Sequence, residues 1–232
     1  MKKDNKKKYH LYKMDTITLS FIPIVLLAIV LIITWYLSKD NVYGMIRLFD
    51  SNPGIILITM IAFLALHEVL HSVAYVIYGG KFDKIIYGIE LEKGILYCLC
   101  KQNISKNNIL HSLLYPFFFI GIVTYVIGII YNLPLLLMLS IFNLSGCAGD
   151  LVMFSFISRL PKDIEFSELD DSISFAIYTD KDISKYKHFG IKYISENDSI
   201  ERKDFEKIKI SKASKYVLIC LIILSIVSLL VK

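Results

Sequence analysis

The chain has 232 residues, 55% of them hydrophobic and only 20% charged, with a net charge of +5. Soluble domains carry charge on nearer a quarter of their residues, so an ordinary soluble fold is excluded and membrane spans are expected. The positive charge does not imply a nucleic-acid partner, because Lys and Arg are sorted by loop, as membrane orientation requires.

Residues 1–16 hold six Lys and lead into a first apolar run, Ile17–Leu37. No small-residue cleavage site follows, so this run reads as a retained anchor with Trp35 and Tyr36 at its far interface. Residues 38–53 carry turn formers at both ends and read as a short outer connection, with Pro53 placed to start the next helix. The second run, Gly54–Tyr78, is 25 residues long and stops at Gly79-Gly80. About 20 apolar residues suffice to cross a bilayer as a helix. Residues 81–101 then alternate around Lys93-Gly94, which predicts a β-hairpin. A third run, Ile109–Tyr131, and a fourth, Leu135–Ile157, flank a tight turn at Asn132-Leu133-Pro134, predicting an antiparallel helical pair.

Residues 158–215 are polar and mixed in charge. Segments 173–180 and 189–194 read as strands, and 195–212 as a charged helix leading into a last, short run, Tyr216–Val231. The 79–108 connection holds five Lys and the 158–215 segment twelve Lys and Arg, against Lys39 and Arg47 alone in 38–53. That partition puts the N-terminus and both basic segments in the cytoplasm of a bacterial-type plasma membrane. The expected fold is an all-α polytopic membrane protein of about five transmembrane helices, with a small cytoplasmic β-hairpin and a mixed cytoplasmic segment. Three parts are expected: a basic N-terminus and anchor (1–53), a membrane core (54–165), and a cytoplasmic segment with a C-terminal helix (166–232). Cys98 and Cys100 are spaced C-x-C and, with Cys147 and Cys220 in spans, read as small packing residues rather than as a zinc or disulfide set.

The second run carries the chemistry: His67-Glu68-Val69-Leu70-His71, the pattern H-E-x-x-H. Positions i and i+4 share a helix face, so both imidazoles reach one tetrahedral ion, and Glu68 projects beside it as a base for water. A lone His on an apolar helix is usually a satisfied core residue. A Glu near the bilayer interior costs about 2.5 kcal/mol or more, which argues for a functional cluster over a decorative one. Asp150 is the second intramembrane carboxylate. It lies seven residues from the end of its run at Ile157, the same depth as His71 from Tyr78, which makes it the candidate third ligand. The alternative is a polar group satisfied by a neighbouring helix. His111, near the mouth of the third run, reads as an interfacial side chain, with ligation as its alternative.

These residues resemble the site-2 protease superfamily of intramembrane zinc metalloproteases, and more closely the zincin peptidase family described as domain of unknown function 3267. The likeness rests on His67-Glu68-x-x-His71 and on Asn143-x-x-Gly146-x-x-Gly149-Asp150-Leu151, and covers roughly 54–165. It implies a zinc ion on His67, His71 and Asp150, Glu68 as general base, and a membrane protein or peptide as substrate. The chain departs from the superfamily in having Leu-Ser-Gly-Cys-Ala-Gly after Asn143, where a Pro-rich stretch is usual, and Leu151 after Asp150, where Gly is usual. The expected function is a membrane-embedded zinc endopeptidase acting near the cytoplasmic face. The rival is a zinc-stabilised membrane scaffold without turnover, which would have no use for Glu68.

Overall fold

The computed structural model describes residues 8–90, 95–169 and 174–197. The chain starts with a strand, β1 (Lys8–Met14), followed by helices α1 (Thr16–Leu37), α2 (Lys39–Ser51) and α3 (Pro53–Ile77). A hairpin-like pair, β2 (Ile85–Glu90) and β3 (Ile95–Cys100), leads through the short β4 (Ile104–Ser105) into α4 (Lys106–Pro116). A π-helical segment, Phe117–Val123, joins α4 to α5 (Thr124–Ile130). Then come α6 (Pro134–Gly146), α7 (Ala148–Arg159) and the strands β5 (Glu165–Glu168), β6 (Ser174–Thr179) and β7 (Ile191–Asn197).

The all-α expectation is overturned. The protein is mixed α/β, with a five-stranded antiparallel sheet in the order β4-β5-β6-β1-β7 and a separate two-stranded sheet, β2-β3. The Lys-rich N-terminal stretch is not merely a solvated tail. Its Tyr9, Tyr12 and Met14 turn inward while Lys8 and Lys13 face out, so β1 sits between β6 and β7. Tyr12 stacks on Phe175 at 5.8 Å and meets Phe156 of α7 at 5.0 Å. The core beneath the sheet is built from these rings with Phe166, Ile177, Ile157 and Ile109.

The count of spans changes as well. Among the described residues three helices are long and apolar enough to cross a membrane: Ser20–Leu37, Pro53–Ile77 and the continuous Lys106–Ile130. The fourth expected run is broken at Cys147 into α6 and α7, which are bent by 43°, so it is a span only if the bent pair is counted as one. The fifth expected run, residues 198–212 of the charged helix expected before it and the Lys93-Gly94 turn lie outside the described residues, and residues 195–197 of that expected helix are the end of β7 instead. Segment 38–53 is also not a turn but the helix α2, with Asn41 and Met45 buried. Gly44 explains the fit: a Cβ there would stand 2.8 Å from Cγ of Pro134, so only glycine lets α2 lie on the start of α6. Met45 joins Ile56, Leu137, Met138 and Ile141 in a second core. Outer faces of the helices stay apolar and exposed, as with Phe21, Ile32, Leu57 and Phe119, which suits lipid contact.

Candidate metal centre

His67 and His71 lie one turn apart on α3 and are both buried, with their Nε2 atoms 3.1 Å apart. Asp150, in the first turn of α7, places Oδ2 3.3 Å from Nε2 of His67 and 3.5 Å from Nε2 of His71. Among the described residues these three form a group whose potential donor atoms all lie within 4.8 Å of one another. The break at Cys147 is what delivers the carboxylate, since it starts a new helix three residues before Asp150.

The other ring nitrogens fix the tautomers. Nδ1 of His71 lies 3.0 Å from the Ser112 carbonyl of α4, which can only accept, so this nitrogen carries the proton. Nδ1 of His67 lies 2.9 Å from Oδ1 of Asn143, and Nδ2 of Asn143 donates to the Pro116 carbonyl at 3.1 Å. The Pro116 bond sets which way the amide faces, so Asn143 accepts from His67. With both Nδ1 protonated, each neutral imidazole aims a lone pair from Nε2 at the other and at a carboxylate oxygen. Three acceptors facing one point repel unless a cation or proton stands between them. Zinc bonds of 2.0–2.2 Å in a tetrahedron separate ligand atoms by about 3.3–3.6 Å, within a few tenths of an ångström of the three distances here. The residues present therefore fit a zinc ion, and hydrogen bonds from α4 and α6 orient its imidazoles.

Glu68 points elsewhere. With Leu96 of β3 it lines the two cavities that meet at the triad. The first cavity, about 440 Å³, is an apolar groove between α3 and α6, walled by Leu57, Met60, Leu64, Leu139 and Phe142. The second, about 270 Å³, is a more polar chamber under β3 that holds His71, Asp150, Tyr75 and Glu168. Gly146 lines both, and no atom lies within 4 Å of the point where its Cβ would stand. It keeps the passage between the cavities open.

The remaining candidates fall away from the triad. His111 stacks on Tyr78 at 4.7 Å between ring centres. The Cys147 thiol lies 4.0 Å from Nδ1 of His67, on the far side of the ring from the other donors. Asp163 pairs with Lys181 at 2.7 Å, and Glu165 accepts from Asn103 at 3.1 Å. Glu168, one of a run of acidic residues in the sequence, is the member that reaches the site, and Asp170 and Asp171 lie outside the described residues. The orienting roles of Asn143 and Ser112 were hidden, since one is a backbone carbonyl and the other an Asn among small residues.

A helix-borne H-E-x-x-H, closed by a carboxylate from another helix and opened on two cavities, defines the metallohydrolase class of site. A family model described as "Putative zincin peptidase" matches residues 60–164. Over that segment the chain is similar to this zincin peptidase family, the one that its residues resemble. No curated protein and no solved structure matches the chain.

Proposed function

We propose that the protein is a membrane-embedded zinc metallopeptidase that cuts peptide bonds of membrane or membrane-proximal proteins near the cytoplasmic face. His67, His71 and Asp150 would hold the ion, and Glu68 would act as general base. One observation carries this reading. The base stands where the triad opens on both cavities, whereas a scaffold site would close its coordination and leave Glu68 without use. Zinc, when bound, supplies a Lewis acid that brings water's pKa to about 7 and polarises a carbonyl. Glu68 takes a proton from the attacking water and later delivers it to the departing amine nitrogen, as the C–O bond forms and the C–N bond breaks. Asn143 and the Ser112 carbonyl hold the two imidazoles in place throughout. The apolar groove suits a substrate stretch bearing large apolar side chains, and the polar chamber admits water.

The Lys and Arg partition supports a cytoplasmic placing of the chamber and sheet, and the exposed apolar helix faces support embedding in lipid. The test is hydrolysis of fluorescein-labelled casein by the full chain in detergent, with Glu68→Gln alongside. Zinc-dependent cleavage that Glu68→Gln abolishes while keeping its zinc supports the peptidase. Equal cleavage by both would end it, and bound zinc with no cleavage by either would favour the scaffold.

A further inference from the structure

We infer that Glu168 is a positioning residue for the metal centre: it ties the outer edge of β3 to α3 and so holds that strand beside Glu68. This rests on the peptidase reading only in giving Glu68 its task. Glu168 lies beyond the matched segment 60–164 and enters the chamber from β5, a strand of the other sheet.

The geometry starts with the hairpin. Lys101 N–H donates to the Lys84 carbonyl at 2.9 Å, and the register pairs Ile86 with Leu99 and Gly88 with Tyr97. Along an antiparallel strand, amides alternate between the partner and the open side. The amides of Cys98 and Cys100 therefore both face away from β2. The Cys100 amide donates to Oε2 of Glu168 at 2.7 Å, and Cys98 lines the chamber together with Glu68 of α3.

The second oxygen of Glu168 completes the tie. Tyr75 Oη donates to Oε1 at 2.9 Å, and Tyr75 follows His67 and His71 at the same four-residue interval along one face of α3. The other strand has its own attachment one turn away, where the Tyr87 hydroxyl donates to Oγ of Ser72 at 2.5 Å. Glu168 thus bridges the metal helix and the edge of β3, and a slip of that edge would shift β3 against Glu68. Both carboxylate oxygens are engaged by protein donors, which suits a strut rather than a group awaiting substrate.

Glutamine separates a strut from a charge. In Glu168→Gln the side-chain oxygen still accepts from the Cys100 amide, and the NH₂ donates to the Tyr75 hydroxyl oxygen, so both bonds survive with one reversed. Glu168→Ala loses both.

The test uses the full chain in detergent, with three readouts: bound zinc, hydrogen exchange of the amides in 95–100, and casein turnover. Glu168→Ala is expected to keep its zinc, to exchange the β3 amides roughly tenfold faster, and to lose about tenfold or more in kcat at unchanged KM. Glu168→Gln is expected to restore exchange and kcat together. Should Glu168→Ala fail to fold, Tyr75→Phe, which removes one of the two bonds, gives the same readouts with a smaller effect. A Glu168→Gln as impaired as Glu168→Ala would overturn the strut in favour of a role for the charge, and wild-type exchange in Glu168→Ala would overturn it outright. A wild type without casein cleavage would count against the peptidase reading, while the exchange comparison would still decide the role of Glu168.

Discussion

The two cavities that meet at the triad are built from different kinds of structure. The apolar groove lies between α3 and α6, which the family model matches from Met60 onward, and offers hydrocarbon walls with His67, Glu68 and Asn143 at its end. The polar chamber is walled by β3, α7 and Glu168, so part of its wall comes from strands beyond that segment. On the proposed function the difference separates two tasks: helices in an apolar setting would hold the ligands and receive an apolar stretch, and strands beside them would set the access of water and the pose of the base. Each side can be disturbed without the other.

The largest effect is expected at their junction. Glu68→Gln should retain zinc and lower turnover by about 10²–10⁴-fold, measured as casein hydrolysis by metal-loaded protein. Asn143→Ala, on the groove side, removes the acceptor that orients His67 and should weaken zinc binding by about 10–100-fold in a competition titration with a chelator. Gly146→Val puts two methyl groups into the open passage between the cavities. It should lower kcat/KM by on the order of tenfold for peptides with bulky apolar side chains, and less for small ones. Equal losses for both peptide types would show that the groove does not select.

The smallest effect belongs to the chamber and concerns pH. Burial pushes the Glu168 carboxyl from its ordinary 4.5 up to about 7, with hydrogen bonds from Cys100 and Tyr75 and the neighbouring His71 pulling the other way and Glu68 adding to the rise. The folded protein then holds this proton where the unfolded chain has released it. The stability that follows is complete below pH 4.5, drains between about 4.5 and 7, and is gone above that. Thermal midpoints should fall by roughly a few degrees across this window in wild type, and that share of the fall should vanish in Glu168→Gln. An identical pH dependence in both would contradict a raised carboxyl.

The triad between the two cavities was legible in the sequence. The i, i+4 spacing puts His67 and His71 on one face whatever surrounds them, and the depth count brought Asp150 alongside even though its helix is broken. The break at Cys147 lies on the far side of Asp150 from Ile157, so the residues counted all belong to the unbroken α7. The chamber side was not legible. β1 alternates inward and outward over only seven residues inside a Lys-rich stretch, and its partners β6 and β7 come more than 150 residues later. Such pairing leaves no local mark. Segment 38–53 misled in the same way, because its turn formers sit at the ends of α2, where they cap and break a helix rather than replace one. Glu168 lies in a segment whose sequence is simply polar and mixed in charge, and only the fold brings it under Cys100 and Tyr75.

The central claim is a zinc ion held by two imidazoles and one carboxylate with a position left for water. X-ray absorption at the zinc edge of the full chain in detergent tests it most directly. The account expects stoichiometric zinc with four nitrogen or oxygen neighbours at about 2.0–2.1 Å, two of them imidazoles, and loss of the ion in His67→Ala. A shell containing sulfur at about 2.3 Å, or folded protein that takes up no zinc, would contradict it.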